Sequence, residues 1–212
     1  MNFLSNKENF LVTGYGRSGT DFLHRLMNRS DSWVINHEAR GGLDETEYFK
    51  GEWLPEAIAN EFDRNLYGEV NSRLRYFLFR IPVSRVGIIV RDPQEIFMSI
   101  MNRKGYHKRF EFFIRDIVRS YQNFYDYLSC RGGLVVEFGQ MTTDPDYCQK
   151  VIEYFGVDDV KVAYEDVEKK VNSNRKMKFK TFEDLPGKIK DEFQKVEWDR
   201  LVNGVLSSGE RL

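Results

Sequence analysis

Residues 11–23, LVTGYGRSGTDFL, constrain this chain more than any other stretch. An apolar run enters a turn carrying Gly14, Gly16 and Gly19. The turn opens into a segment whose apolar residues Phe22, Leu23, Leu26 and Met27 fall at helical spacing. A buried strand that feeds a glycine-rich turn and then a helix presents backbone N–H groups and the positive end of the helix dipole to an anion. The layout therefore predicts a phosphate cradle at one edge of an α/β sheet. A nucleoside-triphosphatase loop reads Gly-x-x-x-x-Gly-Lys-Ser/Thr. Gly14 and Gly19 keep that separation, but Thr20 stands where the lysine belongs and Asp21 where the magnesium-binding hydroxyl belongs. Arg17 is the only cation in the turn. Such a loop suits a phosphate-like anion and lacks the parts for magnesium-assisted phosphoryl transfer.

The rest of the chain alternates in the same way. Short apolar runs at Phe10–Thr13, Trp33–Asn36, Val86–Val90 and Leu134–Phe138 read as strands. Helices are expected from Thr20 to Asn28, from Pro55 to about Tyr67, after Asp92-Pro93, over about 110–129, and from Asp144-Pro145 to near Gly156. Residues 71–79 fit either helix or strand, and the glycine-rich, charged residues 39–52 read as a surface loop over a site. Strands alternating with helices imply an α/β fold, P-loop-like and three-layered, with a central, mainly parallel sheet. Ligands of such sheets bind at the carboxyl ends of the strands. The Gly14–Gly19 turn, His37-Glu38 and Arg91-Asp92 all follow predicted strands, so they can share one edge. One domain over 1–212 is expected, with a motif-bearing core at about 9–157 and a lysine-rich, helix-prone part at 158–212.

Charge excludes some partners. With 32 basic and 33 acidic residues the net charge is -1. No global field draws this chain to nucleic acid or to a membrane, and any anion site must be local. Cys130 and Cys148 lie in no metal-ligand spacing and read as incidental buried thiols, so neither a metal site nor a disulfide framework is expected. The first ten residues, MNFLSNKENF, hold no apolar core of signal-peptide length, and no segment reaches the roughly 20 apolar residues of a membrane span. A cytoplasmic protein is the expectation.

Three further elements accompany the loop. RDPQEIFMS places Arg91 just after a strand and Ser99 eight residues on, two turns into the next helix. Glu38 follows the second strand, beside His37. LVVEFGQMTTDPDYCQKVIEYFGV reads as a strand, a loop and a helix ending in Phe-Gly. In this order the motifs resemble the sulfotransferases that use 3′-phosphoadenosine 5′-phosphosulfate. The likeness covers roughly residues 9–157, and Arg17 to Thr20 look closer to the bacterial and tyrosylprotein branches than to the animal cytosolic one. The resemblance implies that Gly16, Arg17, Ser18, Gly19, Thr20 and Asp21 hold the 5′-phosphosulfate and that Arg91 and Ser99 hold the 3′-phosphate. In the tyrosylprotein enzymes a catalytic glutamate lies 21 residues after the loop arginine, which matches Glu38; the resemblance thus implies Glu38 as general base and Arg17 as catalytic cation. His37 is the alternative base.

Chemistry agrees with that implication. Sulfuryl transfer builds charge on the departing phosphate, which loop N–H groups and Arg17 can stabilise without a metal, while arginine offers the 3′-phosphate a bidentate fork. Three departures stand out. Asp21 replaces a threonine or serine and is expected to face away from the donor. The segment that covers the 3′-phosphate in cytosolic enzymes has only an echo in NSNRKMK, which nominates Arg175 or Lys176. The chain is also short for the family, so its acceptor, whether small molecule, carbohydrate or peptide, is left open, as is the oligomeric state. Two other readings stay in view: a divergent nucleotide or small-molecule kinase, and a nucleotide-binding module without catalysis.

Overall fold

Five strands form one wholly parallel sheet in the order β2-β3-β1-β4-β5. They are β1 (Asn9–Gly14), β2 (Val34–His37), β3 (Tyr67–Val70), β4 (Arg85–Val90) and β5 (Leu134–Glu137). The structure, a computed structural model, describes residues 8–39, 58–103, 105–168 and 177–212. All but Ala39 of the expected loop over the site, and the candidates Arg175 and Lys176, lie outside the described residues. β1 is central: Val12 pairs with Val70 of β3 on one side and with Gly87 of β4 on the other.

Alternation along each strand builds two cores, one per face, as a sheet buried on both sides requires. Leu11, Val86, Ile88, Val90 and Val135 face one way. They pack against α2 (Pro93–Met101) and α3 (Phe110–Arg131), with α7 (Gly187–Gln194) and α8 (Trp198–Ser208) added to the same cluster. Phe10, Val12, Ile89, Leu134 and Val136 face the other way, against α1 (Thr20–Met27) and α5 (Pro145–Tyr154), with Val167 of α6 (Tyr164–Glu168) at the margin. The result is helix, sheet and helix in three layers. Both Asp-Pro signals start helices as read: Asp92 Oδ1 accepts the Gln94 N–H at 2.6 Å, and Asp144 Oδ1 accepts those of Asp146 and Tyr147 at 2.9 and 3.1 Å. Phe138, expected as the end of a strand, instead begins the short α4 (Phe138–Met141).

The middle of the chain departs from the expectation. The helix expected from Pro55 does not reach Tyr67: among the described residues Ile58 and Ala59 are helical, a 3-10 turn follows at Glu61–Asp63, and then comes β3, a strand absent from the sequence reading. A 3-10 turn over Ser72–Tyr76 resolves the ambiguous stretch. Cys148 is buried as expected, but Cys130 is exposed. At the outer edge of β5, residues beyond α8 return to the sheet. The Val135 N–H donates to the Glu210 carbonyl and the Glu210 N–H to that of Gly133, both at 2.9 Å. No helix among the described residues is long and apolar enough to cross a membrane.

Candidate active site

The strand order places the site. From β1 the chain leaves toward β2 and β3; from β4 it leaves toward β5. β1 and β4 are therefore the neighbours between which the winding reverses, and sheets of this kind take their ligands beyond the carboxyl ends of such a pair. The glycine-rich turn leaves one of these strands and Arg91 follows the other.

Within the turn, two of the glycines have a spatial or conformational reason. A Cβ on Gly14 would stand 2.3 Å from Ser18 Oγ and 2.8 Å from the Ile89 carbonyl, so only glycine lets the turn fold back over the strand end. Gly19 has φ 100° and precedes α1 with no side-chain cap. The first-turn N–H groups of α1 are thus left without a capping side chain, as an anion site needs. Ser18 is fully buried, and among the described residues its hydroxyl has no hydrogen-bond partner. Arg17 is left-handed at φ 84°, a conformation that costs a non-glycine residue about 1–3 kcal/mol and persists only where its surroundings impose it.

Those surroundings are the second motif. Arg91 Nη1 donates to the Arg17 carbonyl at 2.7 Å, and Arg17 Nε donates to Ser99 Oγ at 3.1 Å. Residues 74 and 82 positions apart thus meet in one hydrogen-bonded unit. Arg91 also lies over the Phe138 ring at 4.2 Å and pairs with Glu95, in the first turn of α2, at 2.8 Å. Tyr121 of α3 donates its hydroxyl to the Arg91 carbonyl, which fixes the backbone. Among the described residues no hydrogen bond engages the other terminal nitrogen of Arg91. Beside it opens a cleft of about 320 Å³ lined by residues that include Phe138, Trp198 and Asn203.

The two candidate bases go to different partners. The His37 ring stacks on His24 of α1, centroids 5.0 Å apart, and its buried Nε2 finds no partner among the described residues. Burial, then the neighbouring His37, holds the His24 imidazole below its ordinary pKa. Glu38, at φ 52°, instead accepts a hydrogen bond from Ser72 Oγ at 2.7 Å. That hydroxyl lies 3.9 Å from where a Cβ on Gly16 would stand, so Glu38 reaches toward the loop. Asp21 turns outward to Arg25, one turn along α1, at 2.9 Å. Thr20 is buried at the start of the same helix.

A polar cluster that sequence reasoning missed stands behind the loop. Tyr15, between two glycines of the turn, donates to Asp116 Oδ2 of α3 at 2.7 Å. Arg75 donates to the same oxygen at 3.1 Å, to Ser120 Oγ at 3.1 Å and to the Ser72 carbonyl at 2.6 Å. Its guanidinium lies over the Tyr15 and Tyr76 rings at 4.8 and 4.3 Å, and Tyr76 also donates to Asp116. Burial, and then the Asp116 charge, raises the Tyr15 phenol well above the ordinary tyrosine range, so it serves as a neutral donor. The only sequence signal was a polar Asp116 and Ser120 on the otherwise apolar face of a long helix.

No family model matches this chain, and no curated protein matches it in sequence. Among solved structures it is similar in fold to the sulfotransferase domain from the Synechococcus PCC 7002 olefin synthase. The identity is 14%, the likeness covers 95% of this chain and 94% of that one, and the TM-score is 0.51.

Proposed function

We propose that this protein is a sulfotransferase that moves a sulfuryl group from 3′-phosphoadenosine 5′-phosphosulfate to an acceptor hydroxyl or amine. The observation that carries the reading is the union of the loop with Arg91 and Ser99. One anion cradle and a second cationic group, distant in sequence, meet where the sheet reverses its winding. That pairing suits a donor with phosphate at two positions better than a triphosphate, and the fold likeness to a sulfotransferase domain supports the same class.

In this reading the loop N–H groups, Ser18 and Thr20 grip the 5′-phosphosulfate, with Arg17 on the bridging oxygen. Arg91 and Ser99 take the 3′-phosphate, Arg17 exchanging its bond to Ser99 for the donor. Glu38 removes the acceptor proton as the acceptor oxygen or nitrogen bonds to sulfur. The bond from sulfur to the phosphate oxygen breaks, and 3′-phosphoadenosine 5′-phosphate departs with the electron pair. The Ser72 bond favours Glu38 over His37, whose ring is occupied against His24. Asp21, paired with Arg25, has no part in gripping the donor.

Thermal shift with 3′-phosphoadenosine 5′-phosphate and with ATP, each with and without magnesium, tests the donor class. A ligand that binds the native state raises apparent stability according to its concentration relative to Kd. The expected result is a metal-independent shift with the first nucleotide that exceeds any with ATP. A larger shift with magnesium-ATP favours the kinase reading and overturns this one.

A further inference from the structure

Glu38 sits where strand geometry ends. Its N–H still bonds the Val70 carbonyl at 3.1 Å, the last rung between β2 and β3, and the backbone then turns at φ 52°. A glutamate on such a turn has several rotatable bonds, whereas a general base must stay within hydrogen-bond reach of the proton it removes. One short segment of β3 and its following turn holds it from two sides. Behind it, the fully buried Glu69 accepts the Ala39 N–H at 2.9 Å through Oε1, which also takes Asn71 Nδ2 at 2.8 Å. Oε2 of Glu69 takes the Tyr67 hydroxyl at 2.8 Å. In front, Ser72 Oγ donates to Glu38 Oε1 at 2.7 Å.

Ser72 is itself immobile. It is 6% exposed. The preceding Asn71 carbonyl accepts from Thr13 Oγ1 at 2.8 Å, and the Asn71 side chain caps the turn by accepting the Arg73 N–H at 2.9 Å. The carbonyl of Ser72 accepts from Arg75, which Asp116 and Ser120 of α3 hold in turn. The hydroxyl thus connects the rigid β1–β3–α3 frame to one carboxylate, and it does so beside Gly16 of the loop. Among the described residues no hydrogen bond engages Glu38 Oε2.

We infer that Ser72 is the positioning residue of the transfer reaction: its hydroxyl fixes Glu38 Oε1 so that Oε2 is presented to the acceptor. This rests on the transferase reading of Glu38. Ser72 touches neither sulfur nor the transferred proton; it narrows the angles from which Glu38 can collect that proton.

The test uses the full chain with 3′-phosphoadenosine 5′-phosphosulfate and water as the acceptor, following 3′-phosphoadenosine 5′-phosphate in a single turnover. Calorimetric binding of the product nucleotide serves as the control on fold and donor site. Ser72→Ala is expected to lower the rate constant by about 10- to 100-fold, the scale of a misplaced catalytic group, with nucleotide affinity held within about twofold. Ser72→Thr, which keeps the hydroxyl, is expected to restore most of the rate, and Glu38→Gln to remove it. An unchanged rate in Ser72→Ala, equal losses in the Ala and Thr variants, or a loss confined to nucleotide affinity overturns the positioning role alone. Nucleotide binding without turnover in the unaltered protein overturns the transferase reading, and the role of Ser72 with it.

Discussion

Replacing Arg91 by alanine separates two things that this side chain does. In the structure it braces the loop through the Arg17 carbonyl, stacks on Phe138 and pairs with Glu95; in the proposed complex it also grips the 3′-phosphate. The bond to the Arg17 carbonyl has a charged donor and a mostly buried stem, and is worth about 1.5–3 kcal/mol. Stacking on Phe138 adds about 0.5–1 kcal/mol, and the Glu95 pair a few tenths at most, because Glu95 is more than half exposed. The variant should therefore lose about 2–4 kcal/mol of stability and bind every nucleotide less well. Only the phosphate grip depends on the ligand. Titration calorimetry of the wild type and Arg91→Ala, each with 3′-phosphoadenosine 5′-phosphate and with adenosine 5′-phosphate, closes a cycle in which the bracing effect cancels. The wild type should prefer the 3′-phosphorylated nucleotide by about 10- to 150-fold, the equivalent of one charge-assisted contact. The variant should show little preference. If both proteins prefer it by the same factor, Arg91 is a brace and the 3′-phosphate is bound elsewhere.

Three other outcomes follow from named contacts. Arg17→Ala should reduce turnover by about 100- to 1,000-fold, the scale of removing one donor from developing charge; a rate near wild type in a single-turnover assay would remove Arg17 from the reaction. Gly19→Ala forces a β-carbon into φ 100° and within 2.7 Å of the Phe138 ring, so it should destabilise by about 2–4 kcal/mol, read as a lower urea midpoint. The His24 imidazole is held below its unfolded value of 6.5, so below pH 6.5 the unfolded chain binds the extra proton first. Stability should then fall as the pH drops from 6.5 through the folded value. His24→Gln should flatten that slope in urea titrations, and an unchanged slope would mean that burial of this ring does not set it.

What could be read from the sequence had local causes. The loop, Asp92-Pro93 and Asp144-Pro145 are contiguous motifs whose geometry follows from glycine, proline and capping carboxylates. β3 escaped because YGEV looks like a turn. Gly68 is there because the Phe10 ring fills the space of its side chain, 2.1 Å from an added Cβ, and Glu69 is buried among three donors. A strand built on a partner's ring and a satisfied buried carboxylate carries no apolar alternation. The Tyr15, Arg75 and Asp116 cluster was invisible for a related reason, since its members lie 41 and 101 residues apart and meet only after the sheet and α3 have packed. Ser99 was nominated through the resemblance, by its place eight residues after Arg91, but its bond to Arg17 was not foreseen, because nothing in either motif names the other.

The Glu210 backbone at the margin of β5 bears on how this protein can be handled. An edge strand with unpaired N–H and C=O groups is a template for another chain, and Glu210 occupies two such groups, on Gly133 and Val135. Shortening the chain behind α8 would free them. A truncated variant would then be expected to keep its fold yet form soluble oligomers by strand addition at that margin, visible as a concentration-dependent shift in light scattering. Fusions joined close behind Glu210 would crowd that contact, and a short spacer there would protect a monodisperse preparation.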